Sequence, residues 1–291
     1  MTATPATPTI DRQPGRICAF AVRRPVLAYC LFAVGVSVAL IVGLLIAGTS
    51  VIPGKVAQVL IVPGTAVIIT AWSSGRAGVR RLFAGLVRWR IGTARWLLVL
   101  FSLPLLTLGV AAATGTLEVP PNGWLSVAGT YLLTLVLVLV TASLLEEMAW
   151  TGFVQTRLMA RSGLVRGSLL TAIPVFAIHL PLSYETHGLA GTRWQDALVN
   201  VGFLALALPA FRYLAGVLMI DTGGSVLAVG VLHASFNASG AMDVIPAGWQ
   251  YVPALLLLTV LVVVYRILRG RPLDQPVTVS PTEVGRLEEP R

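Results

Sequence analysis

Eight apolar runs, each close to the length that carries an α-helix across a bilayer, dominate this chain. They fall at about residues 26–48, 56–72, 96–114, 124–149, 164–182, 196–219, 222–241 and 250–268. Crossing the hydrocarbon takes roughly 20 apolar residues as helix, because an open strand or loop there would leave its backbone polar groups unpaired. The fold class that follows is all-α, a polytopic membrane helix bundle of about eight transmembrane helices. Hydrophobic residues make up 56% of the 291 and charged residues 11%, too little polar surface to cover a soluble core of this size. The second run is the weakest. It is short, and Pro63-Gly64 in its middle predicts a kink or a re-entrant segment. Pro209 predicts a kink in the sixth.

The charges between the runs set an orientation. Arg12, Arg16, Arg23 and Arg24 precede the first run. Arg76, Arg80, Arg81, Arg88, Arg90 and Arg95 follow the second, Arg157, Arg161 and Arg166 follow the fourth, and Arg266, Arg269 and Arg271 end the eighth. The alternate loops are poor in basic residues. Basic loops stay cytoplasmic, so both termini are expected in the cytoplasm of a multi-pass protein of the cell (plasma) membrane, in agreement with an even number of spans. The net charge of +9 is thereby accounted for by membrane topology and does not point to nucleic acid. The expected organisation is a disordered cytoplasmic segment over 1–24, a transmembrane domain over 25–270 and a disordered cytoplasmic tail over 271–291. A cleaved signal peptide does not fit, because the first apolar run is long enough to span. Cys18 and Cys30 are too few and too far from the polar residues below for a disulfide framework or a cysteine-rich metal site.

Ionisable residues inside spans are costly, and they mark a bundle interior or a water-filled cavity. Glu146 and Glu147 end the fourth run, His179 lies in the fifth and His233 in the seventh. The fourth and fifth runs form a helical hairpin turning near Ser162-Gly163. Glu146 lies about 16 residues before that turn and His179 about 16 after it, each about 24 Å away along its helix. Carboxylate and imidazole therefore reach similar heights on neighbouring helices. His233 and Asn237 are four apart and share one helix face, which then presents two hydrogen-bond donors. Taken singly, each has a plain structural explanation. A glutamate pair can be interfacial, a buried histidine can bridge helices, and asparagine is common between membrane helices. Burying the four together for structure alone is expensive, so the combination is read as a site. Trp150, Phe176 and Phe236 are read as packing, and His187 as a solvated loop residue.

These residues resemble a known family. Glu146-Glu147 followed by Trp150 and Gly152-Phe153, then His179-Leu180-Pro181, then His233 with Asn237, are similar to the three motifs of the CPBP intramembrane proteases. That family comprises the CAAX proteases and bacteriocin-processing enzymes and is also called Abi. The resemblance covers about residues 124–241 and departs from the pattern twice. The first motif, EExxxR, would place arginine at 151, where this chain has Thr151. The second, FxxxH, would place phenylalanine at 175, where it has Val175.

The resemblance implies an intramembrane endopeptidase acting on a membrane-associated peptide or protein within the lipid bilayer, with no nucleic acid involved. Glu146 and His179 would hold and activate a water, and His233 and Asn237 would stabilise the oxyanion, with Glu147 in support. No cofactor is expected. Zinc on Glu146, His179 and His233 is the alternative by residue type, but the three come from three helices with no HExxH pair. Two further readings stay open: an inactive family member serving as an immunity or scaffold protein, and a small proton-coupled transporter. With threonine at 151, Glu147 is expected to be protonated or water-solvated, because Arg157 lies almost three turns away along the helix, and Thr151→Arg is expected to be tolerated. Oligomeric state and the substrate's identity are left open.

Overall fold

The computed structural model describes residues 15–245 and 248–274, and every structural statement here concerns those. Helix α1 spans Arg16–Arg23. After it come α2 (Pro25–Ile46), α3 (Ile52–Val87), α4 (Thr93–Ala113), α5 (Trp124–Ser162), α6 (Leu164–Tyr184), α7 (Trp194–Asp221), α8 (Val226–Gly240) and α9 (Tyr251–Leu268). No strand occurs among the described residues. Seven of these helices are long and apolar enough to cross a membrane. Of the other two, α1 has 8 residues and the apolar rod α8 has 15. At about 22 Å it is shorter than the hydrocarbon core. Its length is explained by its place: α8 packs against α4 and α5, and most of its side chains are buried.

Several boundaries differ from the sequence expectation. Residues 16–23, assigned to the disordered N-terminal segment, form α1, which buries Ala21 and packs on α3. Residues 1–14 lie outside the described part. The second span does not break at Pro63. Pro63 is buried within a continuous helix, where neighbouring helices tolerate one missing backbone hydrogen bond. The break comes at Gly75, with φ 60° and ψ −163°, a backbone conformation open to glycine and not to side-chain-bearing residues. The arginine-rich stretch after it, expected as loop, is largely helical through Val87. The expected tail also begins later than Arg271. Arg271 pairs with Asp221 at 3.0 Å. Asp274 Oδ1 accepts from the Val165 backbone N–H at 3.0 Å and so caps the start of α6. Residues 275–291 lie outside the described part.

Helix α5 carries the site. Its 39 residues extend about 58 Å, well beyond a bilayer core of about 30 Å. The hairpin turn falls where its spacing predicts. α5 ends at Ser162, Gly163 adopts φ 81°, and α6 begins at Leu164. Small residues bring the helices close. A Cβ at Gly167 of α6 would meet the Met159 backbone of α5 at 2.6 Å, and one at Gly230 of α8 would meet Leu144 of α5 at 3.3 Å. The Tyr131 hydroxyl of α5 lies 2.9 Å from Ser235 Oγ of α8 and donates to the Leu100 carbonyl of α4, tying three helices together.

Candidate active site

The glutamate pair sits on a short α-helical piece, Leu144–Ala149, between two π-helical stretches, Leu139–Ser143 and Trp150–Gln155. π turns inside α-helices are rare and recur at functional sites, because they rotate the following side chains off the regular α-helical faces. Neighbouring residues on a helix point about 100° apart, so Glu146 and Glu147 face different partners.

Glu147 is fully buried, and Arg212 of α7 is 1% exposed. Arg212 Nη2 donates to Glu147 Oε1 at 2.6 Å, and its Nη1 donates to Oε2 at 3.0 Å, a two-pronged charge-assisted pair. The Thr151 hydroxyl donates to Oε2, and Arg212 Nη1 lies 3.2 Å from Thr151 Oγ1. His233 Nδ1 of α8 comes within 2.9 Å of Glu147 Oε1, at an angle off hydrogen-bond alignment. Three helices thus converge on one carboxylate. Gln155 Nε2 fastens the same region, donating to the Arg212 carbonyl at 2.6 Å and to Ser168 Oγ at 3.1 Å.

The expectation that Glu147 is protonated or water-solvated is therefore corrected. It is dry and held by a guanidinium from another helix. Arg157 does not approach it. Arg157 folds over its own helix, with Nη1 donating to the Phe153 carbonyl at 2.9 Å and the guanidinium 4.0 Å from the Phe153 ring. The tolerance expected of Thr151→Arg falls with it, since position 151 is fully buried against Arg212.

His179 Nδ1 lies 2.8 Å from the Val175 carbonyl one turn back on α6. A carbonyl only accepts, so Nδ1 carries a proton, and in its neutral form the ring presents Nε2 as an acceptor. Glu146, His233 and Arg212 are all near enough to His179 to act on it electrostatically. Glu146 is half-buried. Asn237 is exposed one turn beyond His233. Tyr29 of α2 closes one wall, fully buried and packed edge-on against Trp150 with centroids 5.4 Å apart. The His233 ring rests on Phe211 at 5.2 Å, and Phe236 packs on Tyr251. His187 is exposed, as read from the sequence.

Residues 128–239 match the family model described as Type II CAAX prenyl endopeptidase Rce1-like. That stretch of the chain is similar to the CAAX protease family. No curated protein and no solved structure matches the chain. The CAAX protease family is one of proteases, and the match spans Glu146, Glu147, His179, Arg212, His233 and Asn237.

Arg212 is the residue that sequence reasoning missed. It stands inside the sixth apolar run, in ALPAFRYLAGVLM, with no acid beside it. The rule that singled out the glutamates, that a charge within a span needs a reason, applies to it equally.

Proposed function

We propose that the chain is an intramembrane endopeptidase that hydrolyses a peptide bond of a membrane-associated peptide or protein, with Glu146 and His179 activating the water. The observation that carries this reading is the His179 ring. With Nδ1 committed to the Val175 carbonyl, its Nε2 is the acceptor that a water needs, in a site where Glu146 is within electrostatic reach. Glu146 takes one proton from the water as its oxygen bonds to the carbonyl carbon. The same proton passes to the amide nitrogen as the C–N bond breaks, and the carboxylate returns to its starting form. His233 and Asn237, one turn apart, meet the oxyanion of the tetrahedral intermediate. With Nδ1 turned toward Glu147, His233 Nε2 is the nitrogen left to face the oxyanion.

This mechanism uses no metal. Among the described residues no three of His, Cys, Asp and Glu gather at metal-binding spacing, and the carboxylate nearest His233 is already covered by a guanidinium. Activity should survive thorough chelation, and the purified protein should carry less than stoichiometric zinc. Zinc lost in His179→Ala, with activity returning only on metal addition, would replace this mechanism with a metal-assisted one.

The substrate class is tested by comparing membrane proteomes of cells with the wild-type chain and with Glu146→Ala. One or a few membrane-associated peptides should lose their processed form. The arginine asymmetry further predicts both termini in the cytoplasm of a plasma-membrane protein. Reporter fusions after Arg90 and after Arg269 should read cytoplasmic, and one near Asn122 external. An external C-terminal reporter would overturn the orientation.

A further inference from the structure

We infer that Arg212 is a positioning residue that does from α7 what an arginine at position 151 would do from α5. It holds Glu147 ionised and oriented, and through Glu147 it fixes the His233 ring. The inference rests on the proposed role of His233, and its test is arranged so that the two can fail separately.

The geometry supports the exchange of positions. Position 151 is four residues after 147 on the same helix, the spacing at which a long basic side chain meets a carboxylate. In this chain the residue there is a threonine whose hydroxyl touches Glu147, and the guanidinium that covers both carboxylate oxygens lies 3.2 Å from that hydroxyl. The charge is in the place an arginine at 151 would reach, but it is supplied across a helix interface. Site and supplier are both dry, with Glu147 and Thr151 fully buried and Arg212 1% exposed, so a second guanidinium there would be a buried charge without a carboxylate of its own. A buried carboxylate deprived of its partner would draw a proton or collapse the site. His233 Nδ1, at 2.9 Å from Oε1, would then lose the negative group that orients it. The Gln155 bonds to the Arg212 carbonyl and to Ser168 fix the α7 backbone that delivers the charge.

The test is a cycle of Arg212→Ala, Thr151→Arg and the double variant, read by thermal stability of the full chain in detergent and by the ring 15N resonances of its histidines. With three histidines in the sequence, assignment by single substitution is direct. Arg212→Ala should lower Tm by on the order of 10 °C. Thr151→Arg alone should also lower it, because two guanidinium groups would share one dry site. The double variant should recover at least half of the Arg212→Ala loss and return the His233 resonances to their wild-type positions. A double variant no more stable than Arg212→Ala would overturn the exchange.

The pair Glu147→Leu/Arg212→Leu separates positioning from mere structure. Matched apolar replacement of a buried ion pair retains stability. The chain should stay folded while the His233 resonances move and hydrolysis of the processed peptide falls by about 10²-fold or more. Unmoved His233 resonances in that folded variant would show that Arg212 only fills the bundle. Failure of the wild type to cleave anything would sink the protease reading while leaving the stability and resonance results to decide the role of Arg212.

Discussion

Glu146→Gln should reduce peptide hydrolysis by about 10²–10⁴-fold while leaving Tm within a few degrees of wild type, since a general base contributes that much and the amide keeps the side chain's shape. Glu146 is half-buried and is not part of the clamp around Glu147, so its removal strands no buried partner. His179→Ala should match it in rate, because the Nε2 acceptor and the base act on the same water. His233→Ala should cost about 10²–10³-fold as a lost oxyanion donor, and Asn237→Ala less. The measurement is turnover of the peptide found by membrane proteomics, with purified variants in detergent or vesicles. Full turnover by Glu146→Gln would remove Glu146 from the chemistry.

Glu147→Leu should do the opposite, striking the fold first. Arg212 would keep its charge in a dry site with no carboxylate, and breaking a buried pair by removing one partner costs about 3–5 kcal/mol. A large drop in Tm, or failure to accumulate in the membrane, is the expected result. Glu147→Gln should fall between, because the amide can still accept from Arg212 through one oxygen and loses the charge and the second acceptor. Wild-type stability in Glu147→Leu would show that Arg212 finds another partner or reaches water. The two neighbouring glutamates therefore separate cleanly by experiment, Glu146 through rate and Glu147 through stability.

The eight rods and the hairpin turn at Gly163 follow from composition and helix geometry alone. Hydrocarbon leaves the backbone no option but helix, and 1.5 Å per residue places Glu146 and His179 at similar heights. The pairing of Glu147 did not follow. Thr151, where the resemblance would place an arginine, leaves Glu147 with no cation one turn along α5, but says nothing of where its partner lies. Arg212 is 65 residues away, and only the packing of α7 against α5 and α6 brings it to the carboxylate. The helix break at Gly75 in place of Pro63 is likewise a tertiary outcome, because neighbouring helices decide whether a proline's missing hydrogen bond is tolerated. The sequence by itself determined the class of fold and the candidate reacting groups, because solvation by lipid acts on every residue locally. Which charge neutralises which was decided by tertiary structure, because in a dry interior that depends on distances of a few ångströms between helices far apart in the chain.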